Sequence, residues 1–280
     1  MPIMTATDNA AFAGTVYQDA LFVARDNNLM AQLVTVFGDR TGIAPRKNSE
    51  YGTVTMQSVA ETDDLSSQTL TPSVIATLTP GEVAAQFFVS DTREETDPFG
   101  ARNDAAMELG MGMAQKMETD LLTTFSSFTG GTVGAAGSAV TWSHFFAAES
   151  ILRAQNAPFP YVAVMHPYHW HSLAKAVSVA GAQNTPGPAF QDEIMRNWWV
   201  SRVGPVDIFV TSNITTGTAA SWGMFSPAAA ALDVRRAPRL EPERDASRRG
   251  VELNMSALYA YGVWRPRFGV KATGDASTPS

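Results

Sequence analysis

The rhythm of apolar and polar positions changes several times along this chain, and each change predicts an element. In the first segment Phe12, Val16, Ala20 and Val23, then Leu29, Leu33 and Phe37, recur at roughly helical spacing, bracketed by Gly14, Gly38 and Gly42. Pro45 ends any helix there. Such an arm is too short for a core of its own. From Tyr51 to Ser90 the residues favour strands instead: Tyr51, Thr53, Val54, Thr55 and Val59, then Val74, Ile75, Thr77 and Leu78, then Val83, Phe87, Phe88 and Val89. A polar turn, Glu61 to Gln68, lies between them, and all charges in this span are acidic (Glu61, Asp63, Asp64 and Glu82). The pattern predicts a long hairpin with little apolar content at its tip. A bare two-stranded hairpin is marginal in water, so this one needs a neighbour to lie on.

The clearest helix opens at Asp97 and Pro98, a cap followed by a residue suited to the first turn. Ala106, Leu109, Met113, Met117, Leu121, Phe125 and Phe128 then recur at steps of three and four. A helix from Pro98 to Phe128 would span about 46 Å. Met107, Met111, Met113 and Met117 read as its core face. Gly110 and Gly112 within it cost about 1 kcal/mol each relative to alanine, which predicts a close approach or a bend. After a Gly/Ala loop from Gly130 to Gly137, Thr141 caps a second helix carrying Phe145, Phe146, Ile151 and Leu152. Tyr161 to Met165 reads as a buried strand, Pro167 to Val179 as a helix, and Gly181 to Pro188 as a loop. Val206 to Val210, Ser221 to Phe225 and the alternating Val251 to Val263 read as strands. The small, polar tail after Lys271 is expected to fray.

Composition narrows the function classes. With 280 residues the chain can bury a core without staples, and with no cysteine it has no disulfide, thiolate metal site or cysteine nucleophile. Lys and Arg total 20 against 27 Asp and Glu, a formal charge of −7, which argues against a broad nucleic-acid-binding face. Only 17% of residues are charged, against about 25% in an ordinary soluble domain, a composition that points to assembly. Neither a basic, apolar leader nor a long apolar run is present, so no membrane association is expected and synthesis in the cytoplasm is.

Three groups could carry chemistry. His166, His169 and His171 lie at a strand-to-helix junction and would be the centre of a metal-dependent hydrolase. Residues 169 and 171 are about 200° apart on a helix, so a packed helix start is the stronger reading. Asp91, Glu94, Glu95, Asp97 and Asp104 gather around Arg93 and Arg102, as acids near a helix N-terminus do. Arg235, Arg236, Arg239, Arg244, Arg248 and Arg249 are interleaved with Glu241, Glu243 and Asp245 in a stretch that reads as a link into the last long strand. That interleaving favours ion pairs between subunits, with Glu61, Asp63 and Asp64 as candidate partners, over phosphate contacts. No nucleophile elbow and no dinucleotide fingerprint is present. The expectation is a protein that is not an enzyme and needs no cofactor or metal.

The order of elements, with the helix Ala105 to Leu122, the run Tyr161-Val-Ala-Val-Met-His-Pro-Tyr-His-Trp170 and a strand ending Tyr261-Gly-Val-Trp-Arg265, resembles the major capsid proteins of tailed bacteriophages over nearly the whole chain. The resemblance implies the α+β Hong Kong 97-like fold. It divides the chain into an N-terminal arm (1–46), an extended loop hairpin (47–92), a peripheral domain with its spine helix (93–138 and 226–280) and an axial domain (139–225). It further implies pentamers and hexamers closing an icosahedral shell, in the virion, around a double-stranded DNA genome touched non-specifically on the inner face. Assembly would take place in the host cytoplasm. Only a short arm precedes the hairpin and the chain starts with methionine, so a separate scaffolding protein is expected, with a portal and a decoration protein as further partners. Some relatives cross-link a loop lysine to a neighbour; no lysine lies between Tyr51 and Ser90, so that chemistry is not expected. An encapsulin-like compartment shell has the same fold and is the alternative.

Overall fold

Two larger β-sheets, a two-stranded one and one long helix organise the described part of the computed structural model, which covers residues 29–61, 64, 66–96, 100–179 and 200–279. In chain order the described elements are α1 (Met30–Leu33), β1 (Thr35–Phe37), β2 (Arg46–Tyr51), β3 (Pro72–Leu78), β4 (Gly81–Ser90), α2 (Asp91–Thr96) and α3 (Ala101–Leu122). They continue with β5 (Gly131–Val133), α4 (Trp142–Ala154), β6 (Tyr161–Met165), α5 (Pro167–Val179), β7 (Val200–Val203), β8 (Val206–Val210), β9 (Ala220–Phe225), β10 (Ala230–Asp245), β11 (Gly250–Val263) and β12 (Gly269–Gly274). One sheet has the order β1-β10-β11-β4, a second β5-β12-β9-β6-β8-β7, and among the described residues β2 and β3 form a two-stranded third.

The core forms where small residues admit large ones. Phe125, Phe128 and Phe225 cluster with ring centroids 5.7–5.8 Å apart. A Cβ on Gly223 would come within 2.9 Å of the Phe125 ring, and one on Gly269 would collide with Phe128. These two glycines let the end of α3 lie on the six-stranded sheet. On the opposite face α4 and α5 cover the sheet: Ile151 touches Gly131, and His169 and Val140 touch Gly274. Thr141 caps α4, its hydroxyl accepting from the His144 amide. Tyr161–Met165 is buried at every position, consistent with a central strand packed on both faces.

Several expectations change. Phe37 lies in β1 rather than continuing a helix, and the arm positions before Leu29 lie outside the described residues. The hairpin's paired arms are 46–51 and 72–78, so of the first predicted strand run only Tyr51 is in a ladder; Gly52 to Ala60 has none. β4 leaves the hairpin altogether and pairs with β11 along ten positions, Tyr259↔Gly81 to Gly250↔Ser90. The long helix runs from Ala101 to Leu122 and tightens into a 3-10 turn over Thr123–Ser127; Asp97 and Pro98 lie outside the described residues, as does the Gly181 to Pro188 loop. Met113 and Met117 are buried but Met107 and Met111 are 45% and 41% exposed. The four methionines form two i,i+4 pairs on different faces, because six residues separate Met107 from Met113.

The tail does not fray where expected. β12 pairs with β9 and β5, Ala272 and Ala276 are fully buried, and the Ala276 amide donates to the Gly217 carbonyl. Its small residues reflect close packing: a Cβ on Gly274 would stand 2.5 Å from Val140. β5 and β12, from stretches assigned above to the peripheral part, are hydrogen-bonded into the six-stranded sheet.

Candidate functional site

The paired hairpin is tightly held at its base and bare beyond it. Leu78 is buried with Ala231 and Ala260, packed by Phe37 and Trp264. Asn48 donates through Nδ2 to the Trp264 carbonyl at 2.7 Å, and Arg267 pairs with Glu50 at 2.5 Å. The strongest tie is electrostatic. Arg46 donates through Nε to the fully buried Asp233 at 2.9 Å, pairs also with Asp39, and lies 4.3 Å over the Phe37 ring. Asp233 accepts from Arg235 at 2.8 Å as well, and Arg235 reaches the Ala44 carbonyl at 3.0 Å. These partners hold Asp39 below the usual carboxylate range, chiefly by the hydrogen bond from Arg46, and raise Arg46 through its bond to Asp233.

Past Tyr51 the loop carries its own weak substitute for a ladder. Gln68 donates to the Thr55 carbonyl at 2.6 Å and accepts from the Thr55 amide at 3.1 Å, and Gln57 pairs with Ser66 at 2.9 Å. Val54, Met56, Val59 and Leu70 are 58%, 91%, 48% and 53% exposed. A contiguous set of uncovered apolar side chains on a projecting loop marks an interaction surface. Glu61 and Asp64 at the tip are exposed; Asp63 lies outside the described residues.

The arginine-rich stretch is a strand rather than a link. It forms most of β10, whose pairing with β11 shifts register between Val234 and Arg236 and again between Arg236 and Arg239. Its cations find acids inside the chain: Arg236 with Glu82, Arg239 with Glu241 at 3.3 Å, Arg244 with Asp91 through two nitrogens, and Arg248 with Glu252 at 2.7 Å. The bond from Arg244 lowers the Asp91 carboxyl. Arg235, expected at the interface, is buried on Asp233 within its own chain. Arg239, Arg244, Arg248 and Arg249 remain at the surface. Arg236 and Arg244 bracket β4, the edge strand of the sheet, and beside it an apolar groove of about 380 Å3 runs against α3, lined by Val83, Phe87, Leu109, Met113 and Met255.

The histidines do not converge. His169 is fully buried, His166 nearly so, and His171 is exposed. The His166 Nδ1 accepts from the Tyr168 amide at 3.1 Å. Burial pushes His169 down to about 4 and lowers His166. Among the described residues no group of three His, Cys, Asp or Glu is placed to hold a metal ion.

Buried charges that sequence reasoning passed over do much of the positioning. Glu118 is 1% exposed and accepts from the Leu29 amide at 3.0 Å and the Thr211 hydroxyl at 2.5 Å. Asp120 accepts from Tyr259 at 2.8 Å and Lys116 at 2.5 Å. The signal was available for Glu118, which occupies the apolar register Ala114, Glu118, Leu121 of the helix.

A family model described as phage capsid protein matches residues 75–272. No curated protein matches the sequence. Among solved structures, a chain of Mycobacterium phage Che8 is similar with a TM-score of 0.72 and 16% identity, covering 88% of this chain and 90% of that one. The capsid of a native GTA particle gives 0.68 and 14%, with 89% and 90% covered. A virus-like particle from Pyrococcus furiosus gives 0.62 and 16%, with 93% and 99% covered.

Proposed function

Because the chain belongs to the phage capsid protein family, we propose that it is gathered as pentamers and hexamers into the icosahedral head of a tailed phage, around double-stranded DNA. It is a major capsid protein of the Hong Kong 97-like fold and a component of the virion. The proposed domain division is the arm to residue 46, the extended loop from 47 to 92 (its last strand, β4, joining the four-stranded sheet), a peripheral part over 93–138 and 226–280 with α3 as its spine, and an axial part over 139–225 near the capsomer centre. A structural rather than catalytic role is part of the reading, as are assembly in the host cytoplasm and a separate scaffolding protein, a portal and a decoration protein.

The observation that carries the assembly reading is the hairpin. Its base is clamped to its own subunit while Val54, Met56, Val59 and Leu70 stay uncovered. Such a loop costs order to hold and gains burial only from another copy. Its flanks would lie in the neighbour's groove between β4 and α3, with Glu61, Asp63 and Asp64 facing the half-buried Arg236 and the surface arginines Arg239, Arg244, Arg248 and Arg249. Electron microscopy of the purified protein tests the reading: closed shells or rings of five and six are expected, and a monomer at every salt and protein concentration would overturn it. The likeness to the Pyrococcus furiosus particle favours a second reading, an encapsulin-like compartment shell. Particles from producing cells that hold protein cargo instead of DNA would establish that one.

A further inference from the structure

Two patches lie on opposite faces of the six-stranded sheet, and nothing among the described residues covers either. The first is on α4. Among the described residues of 139–225 the exposed large apolar side chains are Phe146 and Phe159, at 51% and 59%. α4 turns Phe145, Ala148 and Leu152 to the sheet, and Phe146, Ser150 and Arg153 follow one another along its exposed stripe at steps of four and three. Arg153 pairs with Glu149 at 2.6 Å and lies 5.8 Å from the Phe159 ring, so the charges of this face cancel within it. Both rings are held in place, Phe146 edge-on to Phe145 with centroids 5.8 Å apart and Phe159 stacked on Tyr161 at 4.4 Å. The second patch is a groove of about 550 Å3 between the end of α3 and the loop before β9. Leu122, Phe125 and Ile214 are its buried apolar lining, Thr119, Thr123 and Ser126 stand at its helix side, and none of its described lining residues carries a charge. Those three hydroxyls already donate to the carbonyls of Gln115, Asp120 and Thr123, so an apolar cover orphans none of these donors. The loop is fixed before any occupant arrives, because the Gly217 carbonyl accepts from Ala276 at 2.9 Å and the Thr218 carbonyl from Gly137 at 2.6 Å.

We propose that the exposed stripe of α4, with Phe146 and Phe159, seats in this groove on a second copy of the chain. The inference rests on the shell reading and names the two faces by which neighbours meet within a ring. Symmetry carries the choice of occupant. Because stripe and groove are on opposite faces of one sheet, each copy can give its stripe to the next and receive one from the copy before. A head-to-tail contact of that kind repeats around a rotation axis and closes rings, whereas a patch that matches itself makes a twofold pair and stops. Charge agrees with the choice. The stripe is neutral once Glu149 and Arg153 have paired, and the groove offers no cation. The acidic tip of a neighbour's hairpin would instead bring Glu61 and Asp64 into a site with nothing to compensate them.

The absence of cysteine makes the test direct. Full-length chain carrying Ser150→Cys and Thr216→Cys is assembled, treated with a short bismaleimide and run on a denaturing gel. A ladder of bands ending at five and six chains is expected from the double variant, and none from either single variant. Dimers from Ser150→Cys alone would show α4 meeting α4 across a twofold axis and overturn the proposal. Independently, Phe146→Asp/Phe159→Asp should keep the subunit's helix content, since both rings are more than half exposed, and lower the yield of rings and shells at least tenfold. Thr216→Arg, on the groove side, should do the same. Shells of the double cysteine variant that give no ladder, or normal shells from the aspartate variant, would overturn this contact and leave the capsid reading standing. A wild-type chain that never associates would instead remove the capsid reading, and this contact with it.

Discussion

Arg46 Nε lies 2.9 Å from Asp233 Oδ2, joining the foot of the hairpin to the start of β10 across 187 positions of sequence. Asp233 is fully buried and also holds Arg235, so two guanidinium groups depend on one carboxylate, with Asp39 at the rim. Removing one partner from a buried charge group leaves the other uncompensated, at a cost of about 3–5 kcal/mol. Asp233→Ala should lose stability of that order in urea unfolding of the subunit. A loss below about 1 kcal/mol would show that the clamp orders the hairpin without stabilising the fold.

Two glycines of one loop should respond differently to the same change. Gly134 and Gly137 both have positive φ, 77° and 73°. A Cβ on Gly134 would fall on the Thr273 carbonyl oxygen, whereas nothing lies within 4 Å at Gly137. Gly137→Ala should cost about 1 kcal/mol from backbone strain alone. Gly134→Ala must also push β5 away from β12 and should cost at least about 3 kcal/mol. Thermal melts of the two variants check this, and equal losses would mean that the loop can yield.

Acid should weaken the attachment of the C-terminal strand. His169 is buried against Gly274 and Val140, with His166 and Asp275 as the charged groups that influence it. Its folded pKa is lowered to about 4 from 6.5, so the unfolded chain binds the extra proton first as pH falls. The contribution is complete above pH 6.5 and lost progressively down to about pH 4, in total on the order of 3 kcal/mol. His169→Leu should flatten that part of the stability profile and leave the carboxylate-driven fall below it. An unchanged profile would show that His169 is reached by water and already titrates normally.

What the sequence discloses depends on how evenly a segment meets its surroundings. β11 was legible almost to the residue because one face is buried and the other half-exposed, so its side chains alternate. β6 was legible as an unbroken buried run, and α4 from Thr141. β10 was not, since Pro238 and a series of arginines read as a link. Pro238 sits inside the register shift between Arg236 and Arg239, where a ladder donor is not needed. The partner of β4 lies some 170 positions later in the chain, and no local pattern reveals a pairing so distant. The same holds for the candidate site. The hairpin and its acids were readable as a surface in want of a neighbour, but the burial of Arg235 and of the Asp233 carboxylate exists only once distant strands meet.

The hairpin also allows a choice between two forces at the subunit contact. Exposed ion pairs contribute roughly 0–1 kcal/mol each and weaken with salt. Arg236, Arg244 and Arg248 already have acids within their own chain, so new pairs with Glu61, Asp63 or Asp64 would replace old ones. Covering Val54, Met56 and Val59 instead removes apolar surface from water, at about 1.5–3 kcal/mol for each side chain fully buried. Because these three are 58%, 91% and 48% exposed in the subunit, replacing them with serine should change its melting little. Val54→Ser/Met56→Ser/Val59→Ser should therefore give a folded chain that fails to close shells at any salt concentration. Glu61→Lys/Asp63→Lys/Asp64→Lys should slow or misdirect closure at low salt and recover much of it as ionic strength rises. Circular dichroism and negative-stain imaging of the same preparations separate folding from assembly. Normal shells from the serine variant would sink the apolar docking of the hairpin, and an unfolded serine variant would show that these residues belong to the subunit's own core.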